Sequence, residues 1–473
     1  MMAKKNTAGI SKTANLESIG SHKHKKLSTA ERFADGKFLR NKVSLAEQGE
    51  FRLPNNRLTV VQVLKKQAAI RNQHLIPIRH QRMAESPFAF YRGGAAIMAQ
   101  DLANQPTTNI AVQLCGDMHV ANFGFFATSE HKLVFGINDF DETLPGSWEW
   151  DLKRLVASAV IACESLGGSE ADSETLVHKI VRSYREKLHE YASMSYLNLA
   201  YEFMGEKVVR DNFSKSHLKR FDHFIEKTKG KNNLGVLEKL TNIIGKDRKF
   251  IENPPLIERV EISEAGFPIN ELLDLALIKY RETLIADKQI LLDRYTLKDY
   301  VRKVVGVGSV GTVCMVLYLE GNHSNDPLFL QYKEAQESVL SPYLGASIYK
   351  NPAQRVVVGQ KLLQGAPDIF LGYAPSAYKF FYFRQLRDMK GGLSFGEGGC
   401  NLELFEDYAK MFGWALALGH ARSGDAAKIA GYCGKSEKLD AALYRFARSY
   451  TQQNLQDYDL FCRAIKNGQL KTA

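Results

Sequence analysis

Residues 110–141 read IAVQLCGDMHVANFGFFATSEHKLVFGINDFD. Two apolar runs of strand length, IAVQL and KLVFGI, are rich in Val, Ile and Phe and are separated by Gly, Asp and Asn. This predicts strand, loop, strand, with the polar side chains at the strand ends. Helical periodicity lies on both sides of the stretch, so the chain reads as α+β.

Upstream, VVQVLKKQAAIRNQHLIPI begins near Thr59 with apolar residues at three- and four-residue steps, a helix that Pro77 is expected to interrupt. RGGAAIMAQDLANQ predicts a second helix opening after Gly94. Downstream, WEWDLKRLVASAVIACESL reads as an amphipathic helix, and residues 170–302 are expected to be almost entirely helical, with a turn at NPPL. Strand texture returns at Val301 in VRKVVGVGSVGTVCMVLYLEG, DPLFLQYKEA and KFFYFRQL, with a helix at AQRVVVGQKLL between them. LELFEDYAKMFGWALALGHAR and residues 439–467 close the chain as helices. There is no tandem repeat and no long Pro- or Gly-rich linker, so the two strand-rich zones, 110–140 and 301–387, are expected to share one site.

The composition is that of a globular protein: 473 residues, 45% hydrophobic and 24% charged. This excludes collagen, coiled-coil and wholly disordered classes. No apolar run approaches the roughly 18 residues of a membrane span, and the N-terminal residues lack the apolar stretch of a secretory signal. The six cysteines are scattered without a C-x-x-C pair, which points to reduced thiols and a cytoplasmic setting without a disulfide framework or structural zinc. Lys and Arg total 63 against 52 Asp and Glu, a net charge of +11, so phosphorylated ligands and nucleic acid stay open as partners. Part of that excess crowds residues 1–28, which read as a basic flexible arm.

Three motifs carry chemistry. Asp117 and Asn122 on one loop, followed by Asp139 at the next strand end, have the order and spacing that phosphoryl transfer uses: one Asp to take the acceptor proton, an Asn and a second Asp to hold Mg²⁺. Asp and Asn are also ordinary turn residues, and the strand-like flanks are what give the spacing weight. His119, within Asp-x-His, has no companion ligand set and reads as structural or supporting. The second motif is Gly306-x-Gly308-Ser309-x-Gly311 between two strand-like runs. Strand, Gly loop, strand covers phosphates with a hairpin and puts a Lys on the following strand, where Lys333 lies beside Glu334 and Glu337. The third is WEWDLKR (148–154), whose Asp151 either caps its helix or braces the catalytic loop by accepting its N–H groups. Arg79, Arg82 and Arg92 flank the first motif in sequence and suit phosphate or carboxylate recognition as well as ordinary surface pairing.

Together RMAESPFAFYRG (82–93), CGDMHVANFG (115–124), NDFDETLPG (138–146), WEWDLKR (148–154), VVGVGSVGT (304–312) and HARSGD (420–425) resemble the bacterial family known as domain of unknown function 2252, from about Ser28 to the C-terminal end. GDMHVAN (116–122), Asp139 and WDLKRL (150–155) also resemble, more remotely, the catalytic loop, metal-binding Asp and following helix of aminoglycoside phosphotransferases and related kinase-like enzymes. That resemblance implies Asp117 as the base, Asn122 and Asp139 as Mg²⁺ ligands, and Asp151 as the brace. Kinases place the Gly loop and Lys before the catalytic loop, whereas here they follow it, which implies a circular permutation. FEDYAKMFGWALALGHARSGD resembles the helix that, in kinases, ends just before the catalytic loop. AQRVVVGQKLL lacks the Glu that normally pairs the Lys, so either Glu337 substitutes or the pair is absent.

The fold expected is therefore α+β with a permuted, bilobal kinase-like core. Residues 29–169 carry the catalytic and metal half, 170–300 a helical insert, 301–390 the nucleotide-covering strands, and 391–473 the closing helices. The expected function is ATP- and Mg²⁺-dependent phosphoryl or nucleotidyl transfer to an unknown small molecule or protein. The alternative is a non-catalytic nucleotide-sensing or nucleic-acid-associated binding module. Nucleic acid is not the favoured partner, and no membrane partner is expected.

Overall fold

Ser28 accepts a hydrogen bond from the Glu31 N–H while the Glu31 carboxylate accepts from the Ser28 N–H, and this capping box opens the first helix, α1 (Thr29–Phe38). The computed structural model describes residues 27–473 apart from 264–265, 376–378, 387–388 and 394–398. The basic arm expected over 1–28 lies outside the described residues except for Leu27 and Ser28. Four further helices follow: α2 (Val60–Ala68), α3 (Ile76–Ala84), α4 (Pro87–Gly93) and α5 (Ala95–Leu102). Pro77 sits in the first turn of α3, where a missing N–H leaves no bond broken. The helical run expected to stop at Pro77 therefore stops earlier, after Ala68, and the proline starts a helix instead.

β1 (Ala111–Leu114), β2 (Phe123–Ala127), β3 (Leu133–Ile137) and β4 (Leu144–Ser147) come next. β1 pairs with β4, while β2 and β3 form a hairpin extended at its two edges by β5 (Met204–Gly205) and by Gly391–Gly392. Helix α6 (Glu149–Ser165) differs from the amphipathic helix expected: every residue from Glu149 to Cys163 is buried, including Asp151, Lys153 and Arg154. It runs through the centre of the molecule, and its Ala and Ser positions let neighbours approach on all sides. α7 (Glu170–Ser193) lies outside it.

The stretch expected to be helical throughout contains strands. β6 (Thr241–Ile244) and β7 (Asp247–Phe250) form a hairpin turned at Gly245, and β8 (Ile257–Glu258) and β9 (Thr296–Lys303) enter the larger sheet. These short runs lack the length that makes periodicity legible, and their partners supply the ladder bonds. Helix α8 (Ile269–Arg281) covers the sheet, stacking Tyr280 on Phe383 with ring centroids 4.1 Å apart.

That sheet continues with β10 (Cys314–Glu320), β11 (Pro327–Ala335), β12 (Gly372–Pro375) and β13 (Phe380–Gln385), in the order β12-β13-β11-β10-β9-β8 with antiparallel neighbours. β11 is buried along its whole length, as a central strand covered on both faces must be. Gly391–Gly392 is β14. Helices α9 (Pro352–Gln364), α10 (Leu402–Ser423), α11 (Ala426–Cys433) and α12 (Lys438–Lys466) complete the chain. α10 packs closely on α7, and its end reaches β1, where the Gln113 N–H donates to Ser423 Oγ at 3.1 Å. Among the described residues, no helix is long and apolar enough to cross a membrane.

Candidate functional site

The loop after β1 and the turn after β3 face the β9–β10 hairpin across a cleft of about 290 Å³. Asp117, Asn122 and Asp139 line one side, and Gly306, Gly308 and Ser309 the other. Gly306 has a φ of +66°, a conformation open to glycine at no steric cost. The hairpin tip is held from outside the sheet. Arg71 Nη1 donates to the Gly308 and Val310 carbonyls, 2.6 Å each, and Arg82 donates to the Gly306 carbonyl at 2.5 Å. Gly311 is not among the cleft residues; with a φ of +92° it packs on the Arg71 side chain, and its carbonyl accepts from the Asn72 N–H at 2.8 Å.

Asp117 Oδ1 accepts from Arg154 Nε at 2.8 Å, and Oδ2 lies 3.9 Å from His119 Nε2. Burial keeps His119 neutral, lowering it to about 3. Asn122 Nδ2 ties the two loops together, donating to the Asp117 carbonyl at 3.1 Å and the Asp139 carbonyl at 3.0 Å. Beneath them Asp151 accepts from the Cys115 N–H at 2.6 Å and the Gly116 N–H at 3.0 Å, and its Oδ2 is 3.4 Å from His420 Nε2 on α10. Asp151 thus grips the start of the loop from the first turn of α6. Charge-assisted bonds of this kind fix a backbone more firmly than neutral ones.

Lys333, buried on β11, forms an ion pair with the partly exposed Asp141, whose other oxygen accepts from Tyr382 OH at 2.7 Å. Burial pulls the Lys333 ammonium down, but Asp139 and Asp141 outweigh it and hold the group well above its ordinary value. The carboxylate that pairs Lys333 is therefore Asp141, not Glu337. Glu337 lines the cleft and lies among the acids whose charge bears on Arg355 of α9. Burial would raise Asp139, yet Lys333, Arg384 and Lys390 together hold it below the usual carboxylate range. Arg384 follows Tyr382 by two positions on β13 and so shares its face. Lys390 carries no local motif, and its amine is lowered to about 7 by burial and by Arg384. Asp141 stood within Asp-x-Asp, and Arg154 within WEWDLKR; their spacing was visible but not their partners.

The oxygen atoms available suit a hard cation. Asn122 Oδ1 and Asp139 Oδ1 are buried and without a hydrogen-bond partner, as is Asn138 Oδ1 beside them. Among the described residues, no group of three His, Cys, Asp or Glu side chains gathers as a ligand set. An ion that takes one or two protein oxygens and completes its shell with phosphate and water fits this arrangement.

No curated protein and no solved structure matches the chain. The sequence pattern described as "uncharacterized protein conserved in bacteria (DUF2252)" matches residues 71–464, which include both walls of the cleft. The chain therefore belongs to the DUF2252 family.

Proposed function

We propose that this chain is a kinase-like, circularly permuted transferase that moves a phosphoryl or nucleotidyl group from ATP to a small-molecule or protein acceptor, with Mg²⁺. The observation that carries the reading is the ion pair of Lys333 with Asp141, 192 positions away in the chain: Asp139 and Asp141 line the cleft under the glycine hairpin, while Lys333 itself is buried and is not one of the residues lining it. The contact between the end of α10 and β1 supports the permuted order, because it sets a C-terminal helix beside the strand that leads into the Asp117 loop.

Asn122 and Asp139 would hold Mg²⁺, which neutralises phosphate charge when bound. Lys333 would balance charge on the same phosphates, and the Gly306–Ser309 backbone would cover them. Asp117 would accept the proton of the acceptor hydroxyl as its oxygen bonds to phosphorus and the bond to the leaving ADP (or pyrophosphate) oxygen breaks. Arg154 keeps Asp117 in place through Oδ1 and leaves Oδ2 for that proton.

Isothermal titration with ATP and Mg²⁺ tests the assignment. Asp139→Ala is expected to abolish Mg²⁺-dependent binding, while Asp117→Asn binds as wild type and loses turnover. Equal binding by wild type and Asp139→Ala would refute the metal assignment. Tight ATP binding without product across a broad acceptor panel would instead identify a nucleotide-sensing module.

A further inference from the structure

The cleft has a second basic wall to which the reaction above gives no task. Arg79, on α3, is 0% exposed yet lines the cleft. Its Nη2 donates to Gln67 Oε1 at 3.1 Å and to the Gly93 carbonyl at 2.9 Å, while Nε and Nη1 have no acceptor among the described residues. Arg92, at the end of α4, also lines the cleft, and its buried Nε is likewise unpartnered.

A buried guanidinium without a counter-anion is costly, and Arg79 has the like charge of Arg71 as the charged neighbour bearing on it. Arg71 differs in having the hairpin carbonyls as its acceptors. Native interiors rarely leave such donors empty; water, an ion or a ligand fills them, and these two arginines line an open cleft. Position within the cleft says which ligand. The acids that act on Arg92 are Asp117, Asp139 and Glu85, whereas those acting on Lys333 are Asp139 and Asp141. Arg154, which holds Asp117, also donates to the Tyr91 carbonyl at 3.1 Å, so the chain at Arg92 is tied to the Asp117 carboxylate. Lys333 and the hairpin already serve the nucleotide phosphates in the proposed reading, so the arginine wall faces the acceptor.

We infer that Arg79 and Arg92 form a phosphate-binding subsite for the acceptor, so that the molecule whose hydroxyl meets Asp117 already carries a phosphate group. Unpartnered N–H groups on two guanidiniums, with no carboxylate paired to either among the described residues, suit a dianion with three free oxygens better than a carboxylate with two. The inference rests on the reading of Asp117 and Asp139 given above. It also gives the RMAESPFAFYRG stretch, which supplies Arg92 and Gly93 to the cleft, a place in recognition.

Inorganic phosphate is the probe, titrated calorimetrically into the full chain with and without saturating Mg²⁺ and a non-hydrolysable ATP analogue. Phosphate is expected to bind the analogue-loaded protein, and Arg92→Gln to weaken that binding about tenfold or more while the analogue binds as before. Arg79→Lys, which keeps the charge and removes the fork, should weaken phosphate similarly; thermal unfolding of each variant reports that it is folded. Three results overturn the subsite: no phosphate binding in either state, Arg92→Gln binding phosphate as wild type does, or displacement of phosphate by the analogue, which would give the arginines to the nucleotide. If the analogue itself does not bind, the nucleotide reading fails separately, and Arg92-dependent binding of phosphate to the free protein still supports the oxyanion site.

Discussion

His119 shows how burial sets the chemistry of a single residue. Its ring is enclosed beside Asp117, its Nδ1 is unpartnered, and it is lowered to about 3 from an ordinary 6.5. Between those values the unfolded chain takes up a proton that the folded chain refuses. Stability contributed by the neutral ring is therefore present above about 6.5 and is lost as pH falls through that window, by up to about tenfold in the folding constant per pH unit. His119→Gln removes the titration. Urea unfolding of both proteins at pH 7, 6, 5 and 4 should show wild type losing ground to the variant as pH falls. A stability gap that stays constant across that range contradicts the assignment. Asp117, Asn122 and Asp139 were legible in the sequence because their spacing lies within one loop and one strand end. The pairing of Lys333 with Asp141 was not, because nothing local to either residue selects the other.

At the scale of elements, the crossing of α7 and α10 is one of the tightest approaches in the helical half. A Cβ on Gly413 would stand 2.0 Å from the Ile180 carbonyl oxygen, so this glycine is a requirement of distance between backbones. Gly413→Ala should force the helices apart and cost about 1–3 kcal/mol or more, read by calorimetry as a fall in Tm of several degrees. Gly205→Ala is the matched control, since a Cβ there meets nothing within 4 Å. Equal Tm values for the two variants would mean the crossing has slack that the geometry denies. The helix starts were largely readable from caps and periodicity, as with Gly94 before α5. Strand β9 was readable only at its end, because its alternation of apolar and polar residues is interrupted by Lys298 and Asp299 and its identity depends on pairing with β10.

The whole molecule is closed by an ion cluster that joins its ends. Arg57 Nε donates to Asp101 at 2.6 Å, and Nη1 to Asp457 at 3.0 Å across 400 positions of chain. Both carboxylates are buried, and Tyr450 OH donates to Asp101 at 3.1 Å. Arg57→Ala would leave two enclosed negative charges facing one another, a loss of about 3–5 kcal/mol by analogy with other broken buried pairs. Chemical unfolding should show it, and adding Asp101→Asn to the variant should recover part. No recovery would place the loss elsewhere than in the uncompensated charge. The cluster also fixes α12 against the N-terminal helices that carry Arg79 and Arg92 to the cleft, so the same test has a second readout in phosphate binding.

Local pattern by itself determined the α+β class, most helices, the strand zones and the loop bearing Asp117 and Asn122, because propensity, capping and side-chain period act over a few residues. Tertiary structure alone decided that α6 is buried on every side, that Pro77 begins a helix, that Arg154 holds Asp117, and that Asp141 pairs with Lys333. Each of these depends on which distant surfaces meet. The Lys333–Asp141 contact follows from the register that places Lys333 opposite Tyr382 and from the packing of β11 against the Asp139–Asp141 turn. Such contacts are selected by burial and charge pairing between segments far apart in the chain, and a local reading of residue order contains no term for them.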